Sequence, residues 1–199
     1  MKLHRIFIAI NLPEEIKKKL LEYKNKWQEL PARWTSKENL HLTLAFLGNT
    51  SDQELAEVCS SMERIGEKYD PFSLVFTKIV YGPFDYAQGK PNAKIPRMIW
   101  AVGEDSPELS ALQHDIASTL ASSEDPSTSL RASQPFSPHL TLARLRTFEL
   151  QKMDLEELPG INEEISLPFH VASIEIMESK LKRSGAEYTV LQAIPLKSE

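Results

Sequence analysis

The sequence predicts an α+β protein of two similar lobes, and three observations carry the prediction. The pentapeptide His41-Leu42-Thr43-Leu44-Ala45 returns letter for letter as His139-Leu140-Thr141-Leu142-Ala143, once in each half of the chain. Strand-like and amphipathic helical stretches alternate through the first half in the order strand, helix, strand, helix, strand, strand, and the second half echoes that order loosely. The last 30 or so residues read as two strands joined by a turn.

The elements run in chain order. Arg5 to Asn11 is a buried strand. Pro13 suits a first helical turn, and Glu14 and Glu15 suit the positive end of a helix dipole. Ile16, Leu20, Tyr23 and Trp27 then recur at helical spacing, so residues 13–29 are predicted as one amphipathic helix. Leu30-Pro31-Ala32-Arg33-Trp34 breaks it and leads into the first repeat strand, which is expected to end at Gly48. Asn49-Thr50-Ser51-Asp52 supplies N-cap candidates for a helix to about Lys68. After the Asp70-Pro71 turn, Phe72, Leu74 and Phe76 alternate with Ser73, Val75 and Thr77 as a strand. Arg97 to Val102 is another strand and Pro107 to Ala121 a second amphipathic helix, with Leu109, Leu112, Ile116 and Leu120 on one side. The second repeat strand falls near residues 138–145, a short helix over 149–158, and strands over Leu167 to Glu178 and Glu187 to Leu196 flank Arg183-Ser184-Gly185-Ala186. Residues 84–95 and 122–135 are polar, rich in turn formers and without periodicity, and read as flexible insertions.

In each repeat, period-2 alternation sends the histidine and threonine to one face and the leucines to the other. Each copy therefore offers an imidazole and a hydroxyl about 7 Å apart along the strand. A single histidine on a strand is commonly structural; packing explains the repeated leucines, but not a repeated His and Thr on the opposite face. Neither repeat has a nearby Asp, Glu or Cys to complete a metal site, so no metal and no cofactor are expected. There is no phosphate-cradling glycine loop of the kind an ATP-dependent ligase needs.

Set in Asn39-Leu40-His41-Leu42-Thr43-Leu44-Ala45-Phe46-Leu47-Gly48 and Pro135-Phe136-Ser137-Pro138-His139-Leu140-Thr141-Leu142-Ala143-Arg144, the paired H-x-T-x motif closely resembles the RNA 2',3'-cyclic phosphodiesterases. These are also called 2'-5' RNA ligases, within the two-histidine phosphoesterase superfamily. The resemblance extends to the opening strand, to Pro96-Arg97-Met98-Ile99-Trp100 and to the closing hairpin. It implies a single bilobed catalytic domain over residues 1–199, two pseudo-symmetric lobes of antiparallel sheet with helices outside, and a central groove lined by one motif strand from each lobe. It further implies His41 as proton donor and His139 as proton acceptor in metal-independent hydrolysis to a 2'-phosphate, with reversible 2'-5' RNA ligation as a further activity of some relatives. Thr43, Thr141 and Arg144 are implied as phosphate contacts. Strict alternation sends Arg144 to the leucine face, so its role needs a strand end or a bulge near Ala143.

Composition bounds the partner. The formal net charge of −5 excludes a protein that grips long nucleic acid through backbone charge, but an RNA terminus needs only a local patch. Arg33, Arg97, Arg144, Arg146 and Lys180-Leu181-Lys182-Arg183 are the candidates. Phe46 and Phe136 could stack on a base but, flanking buried strands, are expected in the core. Short apolar runs exclude a membrane helix, and the lone Cys59 excludes an internal disulfide, so a cytoplasmic monomer is expected. Two other readings use the same residues: a phosphodiesterase for small cyclic nucleotides or 2'-5' oligonucleotides, and a non-catalytic module that binds RNA ends.

Overall fold

The computed structural model describes residues 3–87, 90–121, 136–153, 157–182 and 185–197, without the side chains of 84–94. The strands are β1 (Leu3–Asn11), β2 (Ala32–Trp34), β3 (His41–Ser51), β4 (Phe72–Tyr81), β5 (Phe84–Ala87), β6 (Lys90–Pro96), β7 (Met98–Gly103), β8 (His139–Leu145), β9 (Asn162–Val171), β10 (Ser173–Lys182) and β11 (Gly185–Pro195). The helices are α1 (Glu14–Glu22), α2 (Asp52–Gly66), α3 (Pro107–Ala121) and α4 (Thr147–Leu150).

Two antiparallel sheets form, ordered β11-β10-β1-β3 and β2-β8-β7-β4-β9. Counted from each motif strand they run β3-β1-β10-β11 and β8-β7-β4-β9, so the lobes match strand for strand, with β2 added at one edge. The lobes are not the halves of the chain. β4, from the first half, joins the second motif's sheet, and the C-terminal β10–β11 hairpin completes the first motif's sheet. Ala172 marks the crossing: the single strand expected from Leu167 to Glu178 is two strands, one ending at Val171 in one sheet and the other starting at Ser173 in the other. Both halves of that stretch alternate, so periodicity alone does not reveal the switch of sheets.

Other boundaries differ for local reasons. The helix expected over 13–29 is α-helical only to Glu22 and tightens to a 3-10 helix at Tyr23–Trp27, which carries Trp27 to a parallel stack on Trp34, centroids 6.5 Å apart. β3 does not end at Gly48: that residue takes φ +81° and absorbs a bulge, and the strand continues to Ser51. Ser51 then caps α2 through a full capping box with Glu54. The expected insertion at 84–95 is a hairpin, β5 paired with β6. That at 122–135 lies outside the described residues, and the short helix expected over 149–158 is α4, ending at Leu150.

One apolar core runs under both sheets. Ile6, Ile8 and Ile10 of β1 meet Leu42 and Leu44, and Leu140 and Leu142 join the same cluster with the apolar faces of α1, α2 and α3. The other face of the first sheet carries a separate small cluster of Phe7, Ala9 and Met177. Among the described residues no helix is long and apolar enough to cross a membrane.

Candidate active site

The two motif strands are brought together by a stretch that reads in the sequence only as a helix break. Residues 32–34 form β2 on the outer edge of β8, with Trp34 opposite Ala143 and Arg33 opposite Arg144. Thr35 then donates its backbone N–H to the Leu142 carbonyl and its hydroxyl to the Thr141 carbonyl, both at 2.8 Å. A 3-10 turn at Lys37–Asn39 redirects the chain into His41. The chain thus touches the second motif strand immediately before it builds the first.

A cleft of about 1000 Å³ lies between the sheets, at the upper end of ordinary ligand sites. His41, Thr43, His139, Thr141 and Arg144 all line it. Leu42, Leu140 and Leu142 are buried on the opposite faces, and Leu44, buried as well, borders the cleft.

Each motif strand carries the same irregularity. Thr43 pairs with Ala9 but Ala45 with Ile8, and Thr141 pairs with Trp100 but Ala143 with Ile99, so Leu44 and Leu142 are each one residue in excess. An extra residue reverses the facing of its successors along the strand. Arg144 is therefore exposed to the cleft, where strict alternation would have buried it. The same slip overturns the expectation for Phe46: 51% exposed, it stands in the cleft rather than in the core. Phe136 also lines the cleft while packing against the core.

The imidazoles sit in different surroundings. His41 packs between Phe7 (centroids 4.9 Å) and the edge of Tyr188 (5.1 Å, interplanar angle 86°). Burial pushes its pKa down to about 4, the Lys17 charge adding to the effect and a backbone contact to Asn39 opposing it. Its Nδ1 is buried without a hydrogen-bond partner among the described residues. His139 lies over Trp100, centroids 4.0 Å apart, and its Nδ1 is 2.8 Å from the Ser137 carbonyl. That carbonyl can only accept, so Nδ1 carries the proton and Nε2 of the neutral ring is left as acceptor.

The remaining cations divide. Arg33 lines the cleft beside Arg144. Arg146 pairs with Glu149, Lys180 with Glu178 and Lys182 with Glu187, Arg97 is not among the lining residues, and Arg183 lies outside the described residues. Tyr188, Trp100, Met98 and Thr35 also line the cleft. Met98 and Trp100 fall in a stretch that carries the resemblance and Tyr188 in the closing hairpin, but their place in a site follows from the pairing, which sets Trp100 opposite the motif Thr141. Among the described residues no three His, Cys, Asp or Glu side chains gather into a metal-binding group.

Comparison with known proteins adds a family and a fold. The family model described as LigT like Phosphoesterase matches residues 10–85 and 105–188. The chain is 32% identical over 98% of its length to a Geobacillus stearothermophilus protein named RNA 2',3'-cyclic phosphodiesterase, spanning 58% of that protein. It is 29% identical to one of the same name from Thermotoga maritima, over 94% of this chain and 92% of the relative. A crystal structure from Thermus thermophilus superposes with a TM-score of 0.81 at 26% identity, covering 98% of this chain and 99% of that one. Escherichia coli LigT superposes with a TM-score of 0.71 at 24% identity, over 99% and 100% of the two chains, and shares the fold.

Proposed function

Because the chain belongs to the LigT-like phosphoesterase family, we propose that it hydrolyses RNA 2',3'-cyclic phosphate ends to 2'-phosphates without a metal, by paired histidine acid–base catalysis. The observation that carries the reading is the shared cleft: two His-x-Thr units from different sheets, each with the same bulge, line one cavity.

Opening a cyclic phosphodiester needs a base for the attacking water, an acid for the departing ribose oxygen, and donors for the non-bridging oxygens. His139 is the base, because its Nδ1–H is committed to Ser137 and its Nε2 lone pair is available to take a proton from water. His41 is the acid and protonates the 3'-oxygen as the P–O3' bond breaks, leaving the phosphate on the 2'-oxygen. Thr43 and Thr141 donate to the phosphoryl oxygens and Arg144 balances their charge. Product release leaves His139 protonated and His41 neutral, and proton exchange with solvent restores the starting state.

The depressed pKa of His41 is compatible with the acid role only if the substrate restores the proton. A phosphate anion about 4 Å away, at an effective dielectric near 20, contributes about 4 kcal/mol, or about 3 pKa units. That is enough to lift the ring from about 4 to near neutrality. His41 therefore takes up its proton as the substrate binds. With an RNA 5'-hydroxyl in place of water as the nucleophile, the same displacement breaks the P–O3' bond and forms a 2'-5' linkage, and its reversal returns the cyclic end and the free 5'-hydroxyl.

The test is an oligonucleotide ending in a 2',3'-cyclic phosphate, incubated with the protein in EDTA. Turnover to a 2'-phosphate is expected; a 3'-phosphate product would reverse the direction, and activity that appears only when zinc is restored would defeat the metal-free mechanism.

A further inference from the structure

We propose that Arg33 forms a second phosphate subsite, which holds the phosphodiester one nucleotide upstream of the cyclic end and so makes the protein prefer an RNA chain over a mononucleotide. The inference rests on the substrate reading above and extends it to residues that do no chemistry.

Arg33 and Arg144 are direct cross-strand neighbours on β2 and β8, and both line the cleft. Like charges placed opposite one another on a sheet destabilise it. An anionic chain passing over both guanidinium groups offsets that repulsion.

Arg33 also reaches the opposite sheet. A Cβ added to Gly185, where β11 begins, would lie 1.8 Å from Arg33 Nη2, 2.8 Å from Cζ and 3.3 Å from Nη1. The Nη2 end of the guanidinium thus lies against the Gly185 backbone, where a β-carbon would displace it, and Gly185 takes φ +131°, which other residues rarely adopt. Asn39 steadies the same turn by donating to the Ala186 carbonyl at 2.8 Å.

The order of groups gives the path. His139, Thr141 and Arg144 succeed one another along β8, and Arg33 stands beside the last of them on β2, the edge strand of its sheet. A phosphate between the histidines therefore has its chain leading outward past Arg144 to Arg33 and solvent. Among the described residues, the acidic side chains lining the cleft are Glu38 and Glu187, and Glu187 is engaged by Lys182. In a chain with net charge −5, attraction for a polyanion must come from such local placement.

The experiment compares kcat/KM for adenosine 2',3'-cyclic phosphate with that for a dinucleotide bearing the same cyclic end, in wild type, Arg33→Ala and Arg33→Lys. The dinucleotide-over-mononucleotide ratio is expected to fall about 10-fold in Arg33→Ala and to be partly restored in Arg33→Lys, which keeps the charge and loses the fork. The dependence of log kcat/KM on log salt should also flatten by about 0.7 for the dinucleotide. An unchanged ratio overturns the subsite. Arg33→Gln, of near-equal length, replaces Arg33→Ala should that variant not fold.

Calorimetry separates this failure from failure of the catalytic reading. Wild type is expected to bind adenosine 3',5'-bisphosphate about 10-fold more tightly than adenosine 3'-monophosphate, and Arg33→Ala to lose that preference, whether or not any substrate turns over. No preference in the wild type, or one that survives the substitution, refutes the subsite.

Discussion

Phe46 occupies in β3 the position that Arg144 occupies in β8: each stands five residues after its motif histidine, just past a one-residue bulge, and each turns into the cleft. The duplicated scaffold thus presents two equivalent positions filled by different chemistry, a flat apolar ring on one side and a cation on the other. A ring suits a base and a guanidinium suits a phosphate.

That asymmetry separates two binding terms. Phe46→Ala is expected to weaken adenosine 2'-phosphate about 10-fold while leaving inorganic phosphate as an inhibitor of unchanged strength, since stacking is worth roughly 1–3 kcal/mol per base. Arg144→Ala should weaken both ligands about 10-fold or more. Inhibition constants for the two ligands in the two variants decide the matter, and equal losses on both ligands from Phe46→Ala would remove the stacking role.

His41 links binding to protons. On the proposed assignment the free ring is mostly neutral between pH 4 and neutrality and the ring beside a bound oxyanion is protonated, so binding of sulfate, which does not itself titrate in this range, takes up a proton and tightens as pH falls toward 4. Calorimetry at pH 6.5 in buffers of different ionisation enthalpy should register that uptake, and His41→Asn should abolish it. Release of a proton, or no exchange at all, would contradict the assignment.

The same shift sets a stability trend. The folded pKa of about 4 lies below the unfolded value of 6.5, so the unfolded chain binds more protons between them. Stability from this source is fully present above pH 6.5 and is lost as pH falls toward 4, the loss amounting to about 2 kcal/mol at pH 4.5. Urea unfolding at pH 7 and pH 4.5 should show wild type losing about 2 kcal/mol more than His41→Asn. Equal losses in the two proteins would place the ring in a more solvated setting than the packing on Phe7 and Tyr188 provides.

Thr35 is expected to matter without touching substrate. Thr35→Val removes the hydroxyl that donates to the Thr141 carbonyl and keeps the backbone bond to Leu142. A cost of about 1 kcal/mol in urea unfolding is expected, with a several-fold fall in kcat and a smaller change in KM, because the alignment of the two motif strands is disturbed. A fall in stability with unchanged kcat would make the contact purely structural.

Local rules make much of this molecule readable. Alternation in the repeated pentapeptide determines which side chains share a face, because a strand's side-chain period does not depend on its partners. The 107–121 helix, the Ser51 cap and the closing hairpin are readable for the same reason, each being specified by neighbours in sequence. The mismatch between Arg144 and strict alternation points to a strand end or a bulge near Ala143, and the pairing with β7 decides for the bulge. What the chain cannot declare is anything decided by partners far away in sequence. β2 is three residues long and exists because β8 lies beside it, and the strand expected from Leu167 to Glu178 splits because its halves pair with β4 and β1 in different sheets. Phe46 reads as core because a bulge is a property of two paired strands. The placement of His41 and His139 on one cavity, and of Arg33 against Gly185, belongs to the same class. Sequence sets the facing of each residue on its own strand; only the pairing of distant strands decides what it faces.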